Sequence, residues 1–237
     1  MKKLLLMLVI AFATAKSFAQ TEAPKIETPP VTREITVVDS TGLPYSTEYW
    51  NKAVKSGKYK LERRYEMGQK PVFLLKERTE DEIDAQLAKA PRPRLSTCFK
   101  DGDTFKYSNL TDVKGKKIAA KDLIGKILVI NFWFVSCAPC RQEIPELNDL
   151  VKKFSNEKDV IFVAIALDQA EQIENFLKLF PFNYTQVPDA RYYADKFGVT
   201  QYPTHVIIDR SAKVSYHSVG GGAVNTYWLK KTIKSLL

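Results

Sequence analysis

Residues 126–134 read KILVINFWF, and two residues further on comes Cys137-Ala138-Pro139-Cys140. A run that is apolar at consecutive positions does not alternate inside and outside. As a strand it has to be covered on both faces. Such a strand belongs at the centre of a sheet with helices above and below it. The chain can supply that cover: 45% of its 237 residues are hydrophobic. Downstream of Cys137, Ile144, Leu147, Leu150, Val151 and Phe154 recur at helical spacing, although Pro145 should kink that helix. DVIFVAIALD (159–168) reads as a second buried strand. In AEQIENFLKLF, Ile173, Phe176, Leu177 and Phe180 fall on one helical face. THVIID and KVSYHSV read as two strands joined by a turn at Arg210-Ser211-Ala212, and Leu229, Ile233 and Leu236 mark a last helix. Strand alternates with helix from about Leu95 to Leu237, which predicts an α/β domain over residues 95–237.

The part before it reads differently. Residues 1–19 hold two early lysines, an apolar run from Leu4 to Ala15, and small residues at Ser17 and Ala19. This is the layout of a cleaved secretory signal. A run of twelve falls short of the ~20 residues that span a bilayer, and no cysteine sits at the cleavage point to take a lipid. Residues 20–33 carry three prolines and little apolar content, and read as a flexible leader. Residues 34–94 then suggest a small α+β module. It has a short strand in EITVVDSTG, a helix in STEYWNKAVKSG closed by Gly57, and strands in KYKLERRY and KPVFLLKE. A second helix opens on a Thr79/Glu82 capping box and stops before Pro91. The module carries no catalytic constellation of its own.

Export changes the meaning of charge and of cysteine. The signal holds three lysines and no acid, so its removal takes the formal charge from +9 to +6. No Lys/Arg block points to nucleic acid, and the mild excess reads as solvated surface charge. Three cysteines are too few for a disulfide scaffold.

What Cys137 and Cys140 do follows from their placement. As a staple they close so short a loop that the gain is only roughly 2 kcal/mol. As zinc ligands they lack a second close pair, since only Cys98, His205 and His217 remain. At a strand-to-helix junction, however, Cys137 meets the free N–H groups and positive end of a helix, which favour a thiolate. Such a thiolate is a good nucleophile and a good leaving group. Cys140, one turn further in, would resolve the mixed disulfide. Pro139 suits a first helical turn, where no N–H is needed.

The stretch NFWFVSCAPCRQEIPELN (131–148) resembles the active-site segment of TlpA/ResA-like thiol-disulfide oxidoreductases, within the thioredoxin superfamily. LIGKILVINFW and FGVTQYPTHVIIDR (197–210) extend the resemblance over residues 99–237. It implies a thioredoxin-like fold, a central mixed sheet flanked by helices. It implies that Cys137 and Cys140 form a reversible disulfide, and that Pro203 is a cis-proline beside it, with the backbone around Tyr202 pairing with a substrate strand. The bland reading of Pro203 is a simple turn. Glu143 matches an acidic residue that some members hold near the cysteines. As the i+3 neighbour of Cys140 it would shuttle protons and raise thiol pKa values, unless it is a solvated helix charge. One departure stands out: relatives usually have Trp before the first cysteine, and this chain has Ser136.

The expected function is therefore an exported, periplasmic thiol-disulfide oxidoreductase. It would act as a reductase on proteins with disulfides or Cys-x-x-Cys motifs, apocytochromes among those the resemblance implies. A membrane thiol carrier would resupply electrons, with no metal and no cofactor beyond the Cys137–Cys140 disulfide. Pro139 stands where strong oxidants of the superfamily tend to carry His, which argues against a disulfide oxidase or isomerase. A peroxidase of the peroxiredoxin type would want Thr where Phe134 stands. Cys98 reads either as a small buried hydrophobe or as a free thiol. His205 lies inside a strand and its alternation suggests a structural place; His217 is similar and more exposed.

Overall fold

The computed structural model describes residues 35–64 and 71–237. The signal and leader segments, 1–33, lie outside the described residues. Among those described, no helix is long and apolar enough to cross a membrane.

The N-terminal part builds a three-stranded sheet. β1 (Thr36–Val38) leads to α1 (Thr47–Lys55), β2 (Tyr59–Arg64), β3 (Val72–Glu77) and α2 (Glu80–Leu87). The strand order is β1-β3-β2, with β1 parallel and β2 antiparallel to β3. Ser46 caps α1, and Gly57 follows it at φ +75°. Thr79 and Glu82 cap α2 reciprocally. A short hairpin, β4 (Leu110–Thr111) and β5 (Lys117–Ile118), and the single turn α3 (Ala120–Leu123) precede the main sheet.

That sheet starts with β6 (Ile127–Trp133), followed by α4 (Ala138–Lys153), β7 (Val160–Ala166), α5 (Ala170–Leu179) and β8 (Thr185–Val187). Then come α6 (Arg191–Phe197), β9 (Thr204–Ile208), β10 (Val214–Val219) and α7 (Ala223–Leu236). The order is β10-β9-β6-β7-β8. β6, β7 and β8 run parallel, and β9 is antiparallel to both of its neighbours, β6 and β10, so the sheet is mixed. β6 is buried at all seven positions. Its side chains alternate between two cores: Ile127, Val129 and Trp133 pack with α4, α5 and α7, and Leu128, Ile130 and Phe132 with α3 and α6. The continuous apolar run is thus two alternating faces, each needing its own cover.

Two details differ from the sequence reading. Phe180 lies past the end of α5 and is 47% exposed, although Ile173 and Phe176 of its expected face are buried. The helix ends at Leu179, so Phe180 leaves the helical period. His217 is 4% exposed and not a surface residue. Residues 94–96 fold back over β10: the Val219 N–H donates to the Arg94 carbonyl, and the Ser96 N–H to His217 Nδ1 at 3.1 Å. Burial pushes the His217 imidazole below its ordinary pKa. α4 spans Pro145 and counts sixteen residues.

The N-terminal part rests on α7 and α4 through charge. Glu80 lies 2.8 Å from Lys153 and 2.9 Å from Lys230, and Lys230 also pairs with Asp84. Hydrogen bonds from Lys153 and then Lys230 pull the Glu80 carboxyl down to about 2. Glu80 is half exposed, so each of its pairs contributes at most about 1 kcal/mol.

Candidate active site

Cys137 is the N-cap of α4, with extended backbone (φ −74°, ψ 102°). Its Sγ accepts the Cys140 N–H at 3.2 Å, the role a Ser or Asp side chain plays at other helix starts. Ala138 and Pro139 occupy the first turn, where a missing N–H costs nothing. The loop leading in is pinned on both sides. The Val135 N–H donates to Asp168 Oδ2 at 2.6 Å, and the Cys137 N–H to the Phe134 carbonyl. Cys137 and Cys140 are joined as a disulfide, and both are buried. Ser136, Ala138 and Pro139 around them are exposed. The pair is therefore reached across small side chains.

Pro203 follows a cis peptide bond from Tyr202. The Tyr202 ring packs edge-on against Phe134, at 5.4 Å between centroids, which ties the proline segment to the loop before the cysteines. The Gly220 N–H donates to the Pro203 carbonyl. Next to it, Gly221 comes so close to α4 that a Cβ there would meet Glu143 Oε2 at 2.6 Å and the Pro139 carbonyl at 3.3 Å. The loop after β10 thus bridges the proline segment and the cysteine helix.

Glu143 is not a solvated helix charge: it is 1% exposed. Asn131 Nδ2 of β6 donates to its Oε1 at 3.0 Å, and His205 Nε2 of β9 stands 3.1 and 3.2 Å from its two oxygens. Asn131 and His205 are registered partners on β6 and β9, and His205 is paired in turn with Ser218 on β10. One polar row therefore crosses the sheet beneath α4. Burial, and then the charge of Glu143, push the Tyr184 phenol well up.

Other residues stand apart. Cys98 is free and half-buried, with its thiol 3.6 Å from Ser96 Oγ. Among the described residues no group of three His, Cys, Asp or Glu side chains converges as metal ligands. Arg141, which the sequence reading did not single out, lies over the rings of Phe176 and Phe180 at 5.5 and 5.0 Å. With Ala138 and Pro145 these residues line a cavity of about 550 Å³ beside the cysteine pair. Phe176 and Phe180 lie 35 and 39 residues beyond Arg141, so nothing local to Arg141 pointed to this contact.

A mixed five-stranded sheet, with a cysteine pair heading the helix after its central strand and a cis-proline just ahead of the adjoining strand, places the chain in the thioredoxin superfamily. Solved structures agree. A protein of Chlorobium tepidum described as the thiol:disulfide interchange protein DsbE superposes with a TM-score of 0.53 at 28% identity, over 58% of this chain and 98% of that one. A protein of Bacteroides thetaiotaomicron described as a protein disulfide isomerase shares the fold, with a TM-score of 0.54 at 23% identity over 61% and 94%. Residues 102–217 match the AhpC/TSA family. The thiol-disulfide oxidoreductase ResA of Bacillus thuringiensis is 34% identical over 113 residues, which cover 47% of this chain and 65% of that protein, just under two thirds of its length. Over these residues the chain is similar to the ResA-like proteins of that superfamily.

Proposed function

We propose that this chain is an exported thiol-disulfide oxidoreductase that works as a protein-disulfide reductase through Cys137 and Cys140. The observation that carries the reading is the disulfide-bonded pair at the first turn of α4, with Cys137 Sγ receiving a backbone N–H. That N–H and the helix end stabilise a thiolate when the pair is reduced. Cys137 attacks a substrate disulfide; one substrate sulfur leaves as thiolate and a mixed disulfide forms. Cys140 loses its proton and attacks Cys137 Sγ, so the second substrate thiolate leaves and the intramolecular disulfide closes. Two electrons pass to the substrate. A membrane thiol carrier resupplies them, because an oxidising compartment does not. Pro203, with the backbone around Tyr202, holds the substrate strand, and Ser136 widens the approach to Cys137. Apocytochrome cysteines are one substrate class that the resemblance suggests.

The Cys140→Ala variant tests this. It should accumulate substrates as mixed disulfides on Cys137, released by a thiol reductant. A folded variant that traps none sinks the exchange mechanism. A potential as high as about −120 mV, that of a strong oxidant, would sink the reductase direction alone. The N-terminal part, docked through Glu80, shapes the partner surface. Removing residues 34–94 from the trapping variant should change which proteins are captured, and an unchanged set would count against that role. Export rests on the pattern of residues 1–19. The intact mass of the native protein should correspond to a chain starting at Gln20, and retention of the segment would overturn it.

A further inference from the structure

We infer that His205 is a positioning residue for proton transfer: it holds Glu143 ionised, so that the buried carboxylate can take the proton of Cys140 when the mixed disulfide resolves. The inference rests on the exchange reaction proposed above. It stands on the geometry beneath α4.

A carboxylate cut off from water favours its neutral form unless donors hold the charge. Glu143 has two: Asn131 Nδ2 on one oxygen, and His205 Nε2 within 3.2 Å of both. Among the described residues no Lys or Arg pairs with it. His205 is fully buried and its Nδ1 has no partner. An imidazolium there would leave a buried N–H unpaired, whereas the neutral ring with its proton on Nε2 leaves only a lone pair. The arrangement that satisfies most groups is thus a neutral imidazole donating to an ionised carboxylate. Cys140 stands three residues before Glu143 on the same helix, and the charge of Glu143 reaches the Tyr184 phenol ahead of β8, which burial keeps protonated. On β10 the Tyr216 hydroxyl is committed to Asn225 Oδ1.

The proton ledger closes. Cys140 gives its proton to Glu143, which becomes neutral. The Cys140 sulfur bonds to Cys137 and is oxidised, the bond from Cys137 to the substrate breaks, and the departing thiolate is protonated by solvent. Without the imidazole donor the buried carboxylate keeps only the Asn131 amide, so its charge is held less well and it is a poorer proton acceptor.

Reduced full-length protein, carrying Cys98→Ser in every variant so that only Cys137 and Cys140 react, separates the steps when mixed with Ellman's reagent. Cys137 releases the first thionitrobenzoate on forming a mixed disulfide, and Cys140 releases the second on resolving it. In His205→Leu the second phase should be at least about tenfold slower near neutral pH, a modest part of what general-base catalysis supplies. Its pH inflection should move up by roughly one to two units, with the first phase unchanged. His205→Gln keeps a neutral donor on Nε2 and should stay within about threefold of the wild type. A wild-type pH profile in His205→Leu, or an equal loss in His205→Gln, overturns the role. Should the Leu variant not fold, carboxyl ¹³C NMR of glutamate-labelled wild-type protein decides: Glu143 ionised near neutral pH supports the inference, and Glu143 protonated there overturns it. A wild-type protein that releases no second equivalent overturns the exchange reading and this inference together.

Discussion

Glu143→Ala is expected to lower the free energy of unfolding by about 3–5 kcal/mol, from a cavity in the packed interior and two stranded donors at about 1–3 kcal/mol each. Two terms combine. The side chain is fully buried, so its removal opens a cavity under α4. It also strips the acceptor from Asn131 Nδ2 and His205 Nε2, two donors that no water reaches. Asn131 Oδ1 and His205 Nδ1 already lack partners, so the row has no slack to absorb the loss. Glu143→Gln keeps the volume and one acceptor, and should lose only about 1–3 kcal/mol as its amide turns a donor toward a donor. Urea unfolding of the oxidised proteins checks the ranking. A Glu143→Ala variant within about 1 kcal/mol of wild type, the range for an exposed ion pair, would mean that the carboxylate is not buried against these donors. Glu80, whose side chain is 52% exposed, is the internal contrast: it has two lysine partners, yet solvent screens both.

How far this arrangement was legible in the sequence depends on the range of the forces involved. β6, α4 and the role of Pro139 follow from local rules, since apolar runs, period and proline geometry need no knowledge of the rest of the chain. The Thr79/Glu82 capping box is legible for the same reason. α6 and β8 escaped: one is seven residues long without a side-chain N-cap, the other three residues long. Neither carries enough period to stand out. Whether Glu143 is buried beside Cys140 or a solvated helix charge stayed open in the sequence, because its burial depends on Gly221 returning after β10. His205 is the instructive case. Alternation placed it in the strand correctly. Its partner is set by the β6–β9 register, which aligns it with Asn131, and pairing between distant strands is not written in either strand alone.

That dependence on Gly221 leads to the second large effect. Gly221→Ala is expected to destabilise the protein by about 1–3 kcal/mol, the usual range for overpacking. At roughly 2–4 °C per kcal/mol for a domain of this size, the melting temperature should fall measurably. Gly221 is not among the glycines with positive φ, so backbone strain is not the reason. The reason is space. A Cβ would lie 2.6 Å from Glu143 Oε2 and 3.0 Å from its Cδ, and the neighbour is not a flexible side-chain end free to swing away. The carboxylate is clamped by Asn131 and His205, and the Pro139 carbonyl at 3.3 Å closes the other side. Either the carboxylate leaves its donors or the loop after β10 lifts from the cysteine helix. A control separates these routes. With Glu143→Gln in place, Gly221→Ala meets an atom of the same size, so a steric cost should persist and the two changes should not simply cancel. Near-additive losses in the double-mutant cycle would indicate that the loop lifts. A strong coupling would show that the clamped carboxylate itself yields. A Gly221→Ala protein as stable as wild type would refute the close approach of this loop to α4.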